Sequence, residues 1–181
     1  MKFTPLHLDG AYRIDLERRS DSRGSFARLF CRDEFRAFGL SETWAQCNVS
    51  HSVQKGTLRG LHFQRPPKAD AKLVKCMAGA VFDVIVDLRK GSDTFGDWTS
   101  LTLTADLGEM IYIPAGFAHG FQTLTDHAEL LYFHSDSYSP ENEGGVHYAD
   151  RHIGIAWPLA ISSLSERDQA LPPIDKVEPI G

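Results

Sequence analysis

At 181 residues the chain is long enough for one domain with a sizeable apolar core. Its 42% hydrophobic and 24% charged residues are ordinary for a globular protein. A net charge of -5 argues against nucleic acid as the main partner, yet a few arginines can still converge on one phosphate-bearing ligand.

In chain order, the first ten residues, MKFTPLHLDG, carry no signal-peptide apolar run, and no later window approaches the ~20 apolar residues of a membrane span. Cys31, Cys47 and Cys76 fall in no metal-binding spacing and read as reduced thiols. The expectation is a cytoplasmic protein without a membrane partner. RDEFRAFG, residues 32–39, predicts a short helix, with Phe35 and Phe38 on one side and Gly39 as its stop. From Trp44 onward the signals are mostly β. WAQCNVS alternates, placing Trp44, Gln46, Asn48 and Ser50 on one face. LRGLHFQ, residues 58–64, reads as a buried strand, yet Arg59 and His62 are three apart. Strict alternation would send them to opposite faces, so a bend or bulge is expected at Gly60.

KLVKCMAG and AVFDVIVDL follow, joined across Gly79 as a hairpin would be. In the first, Lys72 and Val74 share a face opposite Leu73 and Lys75, and alternation alone does not say which lysine points inward. In the second, Phe82, Val84, Val86 and Leu88 form an apolar face assigned to the core. The other face carries Asp83 and Asp87, and a buried carboxylate needs a donor or cation. WTSLTLTAD, MIYIPAGFAHGFQTL and AELLYFHSDSY continue as short strands separated by Gly, Asp and Pro. After Tyr138 the chain turns polar, and SLSERDQAL predicts a closing helix within residues of about 162–175, capped by Ser163 or Ser165. Short strands without intervening helices predict an all-β sandwich or barrel.

GEMIYIPAGFAH, residues 108–119, has the form G-x5-P-x-G-x2-H, with a Pro-Gly turn that aims His119 inward. It resembles the second motif of the cupin superfamily, whose fold is a jelly-roll barrel (a double-stranded β-helix) with a few short peripheral helices. The first cupin motif begins at Gly56 and reaches His62, but Gln64 occupies the next ligand slot and no glutamate follows before Lys72. Two imidazoles beside an ammonium make a poor divalent-metal site. A barrel working without metal is expected; a facial triad of the two histidines and Asp83, as in a metal-dependent oxygenase, is the alternative.

Seven stretches in order carry a closer resemblance: SRGSF at 22–26, QCNVS at 46–50, LRGLHFQ at 58–64, KLV at 72–74, FDVIVDLR at 82–89, IPAGFAHGF at 113–121 and LSERD at 164–168. Together they resemble the dTDP-4-dehydrorhamnose 3,5-epimerase family of nucleotide-sugar epimerases, over about residues 5–175. The resemblance implies a single domain over residues 1–181, no cofactor, a nucleotide-sugar substrate, and a homodimer whose N-terminal strands, within about residues 1–50, exchange between barrels. The implied reaction inverts the carbons flanking a ketone by proton removal, enolate formation and reprotonation from the opposite face.

That chemistry makes three demands. A base must work near neutrality, as imidazole does with its ordinary pKa of about 6.5; the resemblance assigns this to His62, oriented by Asp168. A positive charge must meet the enolate oxygen, and Lys72 stands at the family's position for it. An acid must face the base, and Tyr132 is the family's tyrosine. His119 is implied as a contact to the sugar, with Asp83 bonded to it. Arg59 and Arg23 match diphosphate contacts, where arginine's paired donors suit phosphate. Gln46 and Asn48 match nucleoside contacts, Tyr138 the base-stacking aromatic, and Glu143 and Arg167 further ligand positions. The chain departs from the family pattern at Arg28, which stands at a ligand-binding glutamate, at Ser137 and at VHYAD, residues 146–150. Epimerisation at one carbon only, and a non-catalytic nucleotide-sugar-binding barrel, are the competing readings.

Overall fold

The computed structural model describes residues 1–181. Its alternating segments become thirteen strands in chain order: β1 (Lys2–Pro5), β2 (Tyr12–Asp15), β3 (Arg19–Asp21), β4 (Gly24–Phe26), β5 (Gln46–Ser52), β6 (Leu58–Gln64), β7 (Lys72–Ala78), β8 (Ala80–Asp87), β9 (Trp98–Thr104), β10 (Met110–Ile113), β11 (Phe117–Thr123), β12 (Ala128–His134) and β13 (Glu143–Gly145). A six-stranded sheet has the order β1-β2-β10-β7-β12-β5 and a five-stranded sheet the order β13-β6-β11-β8-β9, while β3 and β4 pair only with each other. From β5 onward the chain changes sheet at almost every turn, with only β8 and β9 consecutive neighbours. This is the cupin-type jelly roll.

The expected hairpin across Gly79 does not form. β7 lies between β10 and β12 in one sheet, and β8 between β11 and β9 in the other. Both strands have their edges filled by later strands, so the Gly79 turn serves as a corner between sheets. It adopts φ +70, and a Cβ there would lie 2.3 Å from Thr125 Oγ1, so only glycine fits the corner.

Three apolar layers hold the sheets. Val74, Cys76, Val81, Ile85, Leu103 and Ile111 fill the space between the sheets. The Val84–Val86–Leu88 face of β8 is buried as expected, but on the outside of its sheet. It packs against Val146, Ile153, Ile174, Val177 and Ile180 from the C-terminal stretch. The barrel interior instead receives the Val81–Asp83–Ile85 face. On the outside of the six-stranded sheet, α1 (Arg32–Ala37) packs Phe35 among Ile14, Leu73 and Met110. Each large side chain so buried contributes about 1.5–3 kcal/mol, which is enough to anchor a C-terminal stretch with little regular structure.

The closing helix is far shorter than expected. Only α2 (Glu166–Gln169) is α-helical, followed by a 3-10 turn at Ile174–Lys176. Ser165 is the cap, its Oγ accepting from Asp168 N–H at 3.0 Å. Pro172 and Pro173 stop the helix, since neither can donate to an earlier turn. Asp87 marks the end of β8, where its carboxylate accepts from Arg89, Ser92 and Thr94; these bonds outweigh its burial and bring its pKa down to about 2.

Candidate active site

β6 and β11 bring His62 and His119 opposite each other across a pair of antiparallel strands. Two residues along β11, Phe121 pairs with Arg59, so three steps on β6 match two on β11. This is the bulge expected at Gly60, which adopts φ +123 with the β11 backbone so close that a Cβ would lie 2.5 Å from Gly120 Cα. The extra residue cancels the odd spacing, and Arg59 and His62 both line one cavity of about 720 Å³ between the sheets.

His62 Nε2 bonds Asp168 Oδ1 at 2.7 Å. Asp168 sits on α2, and its other oxygen accepts from Gly60 N–H at 3.1 Å. Burial alone would raise the Asp168 pKa, but His62, Gly60 and Ser165 together bring it below the ordinary carboxylate range. An ionised Asp168 can only accept, so His62 donates its Nε2–H to it and the ring's lone pair lies on Nδ1.

The other wall comes from the six-stranded sheet. Tyr132 on β12 pairs across to Val74 on β7 and Asn48 on β5. Burial pushes its phenol pKa well above the ordinary value, and Asp83 adds to this; Arg59 and Ser50 oppose it. The phenol therefore keeps its proton until a strong base appears. Lys72 is buried against the same wall, its Nζ donating to Asp70 Oδ1 at 3.1 Å. Asp83 lies behind the cavity, fully buried and bonded to His119 Nε2 at 2.9 Å, with its pKa raised by burial. That bond supplies a partner for one oxygen of the strand's buried carboxylate, while Oδ1 has none within the chain.

At the mouth, the Tyr138 hydroxyl donates to Glu143 Oε2 at 2.8 Å, Arg167 pairs with Glu143, and Gln46 Oε1 accepts from Tyr138 N–H. Gln46, Asn48, Arg59, His62, Lys72, His119, Tyr132, Tyr138, Glu143, Arg167 and Asp168 thus line one cavity. Arg23 and Arg28 do not reach it. Arg23 follows β3 in a hairpin that pairs only with itself and is spent on Asp21, while Arg28 pairs with Glu34 at the start of α1. No group of three or more His, Cys, Asp or Glu side chains is arranged to hold a metal. His62 and His119 are neighbours, but each is committed to its own aspartate.

Among the lining residues not singled out from the sequence, Asp70 and His134 bond each other at 2.8 Å. His134 is two residues beyond Tyr132 on β12, so alternation from Tyr132 would have found it. Asp70 lies in the turn before β7, where no periodicity applies.

Residues 5–176 match the family described as dTDP-4-dehydrorhamnose 3,5-epimerase. The chain belongs to this family. The dTDP-4-dehydrorhamnose 3,5-epimerase of Salmonella typhimurium is 46% identical over 158 residues, 86% of each chain. A dTDP-4-dehydrorhamnose 3-epimerase from Streptomyces niveus is 42% identical over 170 residues, covering 93% of this chain and 82% of its own. The crystal structure of the dTDP-6-deoxy-D-glucose-3,5-epimerase from Legionella pneumophila Philadelphia 1, in complex with dTDP-4-keto-L-rhamnose, superposes with a TM-score of 0.92. It is 37% identical, with 98% of this chain and 94% of that chain covered. The jelly roll is therefore that of a carbohydrate epimerase family.

Proposed function

We propose that the protein is a 3,5-epimerase that converts dTDP-4-dehydro-6-deoxy-D-glucose to dTDP-4-dehydro-L-rhamnose. The observation that carries this reading is the placement of an aspartate-held imidazole and a proton-retaining phenol on opposite walls of one cavity. His62 Nδ1 takes the C5 proton, and the bonding electrons move onto the C4 ketone oxygen. Lys72 donates to the resulting enolate, where a fixed positive charge in a water-poor site lowers the barrier most. Tyr132 returns a proton to C5 from the other face. His62 then loses the proton it took and Tyr132 regains one, both by exchange with water, and a second cycle inverts C3. His119 bonds the sugar, Arg59 holds the diphosphate, and Gln46, Asn48, Tyr138, Glu143 and Arg167 hold the nucleoside end.

Arg23 and Arg28 enter this reading through a second copy. In the proposed homodimer the β3–β4 hairpin of one chain extends to the cavity of its neighbour. β1 and β2 pair within their own chain's sheet, which leaves the hairpin as the exchanged piece.

Proton NMR of the reaction in deuterated water tests the function. Deuterium is expected at both C3 and C5, and His62→Ala should abolish exchange while leaving dTDP affinity within about threefold, since the base touches the sugar end. Label at one carbon only would replace the proposal with a single-carbon epimerase, a reading favoured by the similarity to the Streptomyces niveus 3-epimerase. Absence of exchange would leave a binding protein.

A further inference from the structure

We propose that Asp70 and His134 are positioning residues that hold the Lys72 ammonium in place for the developing enolate and tie it to the wall that carries Tyr132. The inference rests on the role given to Lys72 above.

Lys72 is a four-carbon chain with considerable rotamer freedom, and it acts usefully only if its nitrogen stays in one place. Its single hydrogen bond goes to Asp70 Oδ1, at 3.1 Å. An ammonium has three donors, so two remain for a ligand. Asp70 is nearly fully buried, and its second oxygen is taken by His134 Nδ1 at 2.8 Å. Two donors offset the cost of burying this carboxylate: burial raises its pKa, but His134 and Lys72 bring the net value below the ordinary one. Sharing also matters for chemistry. A carboxylate bonded to the lysine alone would oppose its charge most strongly. His134 draws off part of that accepting power and leaves the ammonium more effective toward an enolate.

His134 is the cross-strand partner of Lys72, and its ring stacks on Tyr132 with centroids 5.9 Å apart and planes at 17°. Ammonium, carboxylate, imidazole and phenol thus form one connected cluster on the wall opposite His62. The backbone there does not depend on Asp70. Ala71 N–H donates to Ser135 Oγ at 2.8 Å, and Ser135 N–H to Ala71 O at 2.9 Å. A purely structural role for the Asp70 side chain has little left to hold.

The test compares the parent protein with Asp70→Asn, His134→Asn and His134→Phe, measuring kcat and KM on the dTDP-4-keto sugar and dTDP affinity by calorimetry. Asp70→Asn is expected to lower kcat about 10- to 100-fold with KM within about threefold, the signature of a misplaced group at the reacting centre. His134→Asn puts an amide N–H near the position of Nδ1 and should retain most activity. His134→Phe keeps an aromatic ring on Tyr132 without the donor, and should fall toward Asp70→Asn. On a Lys72→Met background, Asp70→Asn should cost nothing further. A kcat within twofold of the parent in Asp70→Asn, equal losses in the two His134 variants, or an undiminished cost on the Lys72→Met background would each overturn the inference. The ¹H–¹⁵N signal of Lys72 Nζ supplies a readout independent of turnover. It should exchange slowly in the parent and be lost in Asp70→Asn, and its persistence there overturns the positioning role even if the parent proves inactive on this sugar. An inactive parent, by contrast, counts against the proposed function.

Discussion

Tyr132 shows how far an environment can move a side chain from its behaviour in water. Burial and the Asp83 carboxylate both disfavour phenolate, so the hydroxyl is a poor acid toward water and a selective one toward a carbanion or enolate. Removing it should separate the two halves of the reaction. Tyr132→Phe is expected to retain proton abstraction by His62, read as deuterium washing into the sugar with retained configuration, while inversion slows by about 10²- to 10⁴-fold, the usual worth of a general acid. Inversion at the parent rate would take the role from Tyr132. At this scale the sequence was readable where a motif and an alternating face coincided. His62, His119 and Tyr132 were singled out by motif and resemblance and all line the cavity, and Lys72 needed the family resemblance to be preferred over Lys75. Asp70 was not readable, because a turn residue has no face until the sheets around it exist. Arg23 and Arg28 were singled out by the resemblance alone, and in their own chain both are consumed by local carboxylates.

Among the elements, β6 carries the most consequence per residue. Its bulge converts an odd spacing into a shared face, so that Arg59 and His62, the proposed diphosphate contact and base, reach one cavity from one strand. Gly60 makes it possible, because the β11 backbone passes directly against its α-carbon. In Gly60→Ala the new methyl would lie 2.5 Å from Gly120 Cα and 2.8 Å from His119 O, at a φ of +123 that L-residues rarely adopt. Backbone atoms on both sides leave no flexible neighbour to yield. The variant should lose at least ~2 kcal/mol in urea unfolding and should lose activity more than stability, since Gly60 N–H also orients Asp168. A soluble, fully active Gly60→Ala protein would show that the bulge is dispensable. The bulge could be foreseen because a chemical demand on two side chains met a glycine between them. The partition of β7 and β8 between sheets could not: alternation describes what each strand buries, not which strand lies beside it. That choice depends on β10, β11 and β12, with partners up to 62 residues later in the chain.

For the whole molecule, the β3–β4 hairpin is the part that a single chain leaves unexplained. Two three-residue strands paired only with each other are marginal in water, and Phe26, paired with Arg19 at the open end, is 73% exposed. Seating it on a second copy would bury Phe26 and carry Arg23 to a diphosphate. Sedimentation at micromolar concentration is expected to give twice the 20.2 kDa chain mass, and Arg23→Ala should weaken dTDP binding about tenfold, the worth of one charge-assisted phosphate contact. A monomer with undiminished affinity in the variant would remove the dimer from the account. The C-terminal stretch bears on the molecule in another way. It seals the outside of the five-stranded sheet with Ile174, Val177 and Ile180, and the same stretch delivers Asp168 to His62. The ribosome makes the histidine 106 residues before the aspartate that sets its tautomer. A nascent chain can therefore complete β6 to β13 while the base proposed at His62 still waits for the carboxylate that orients it.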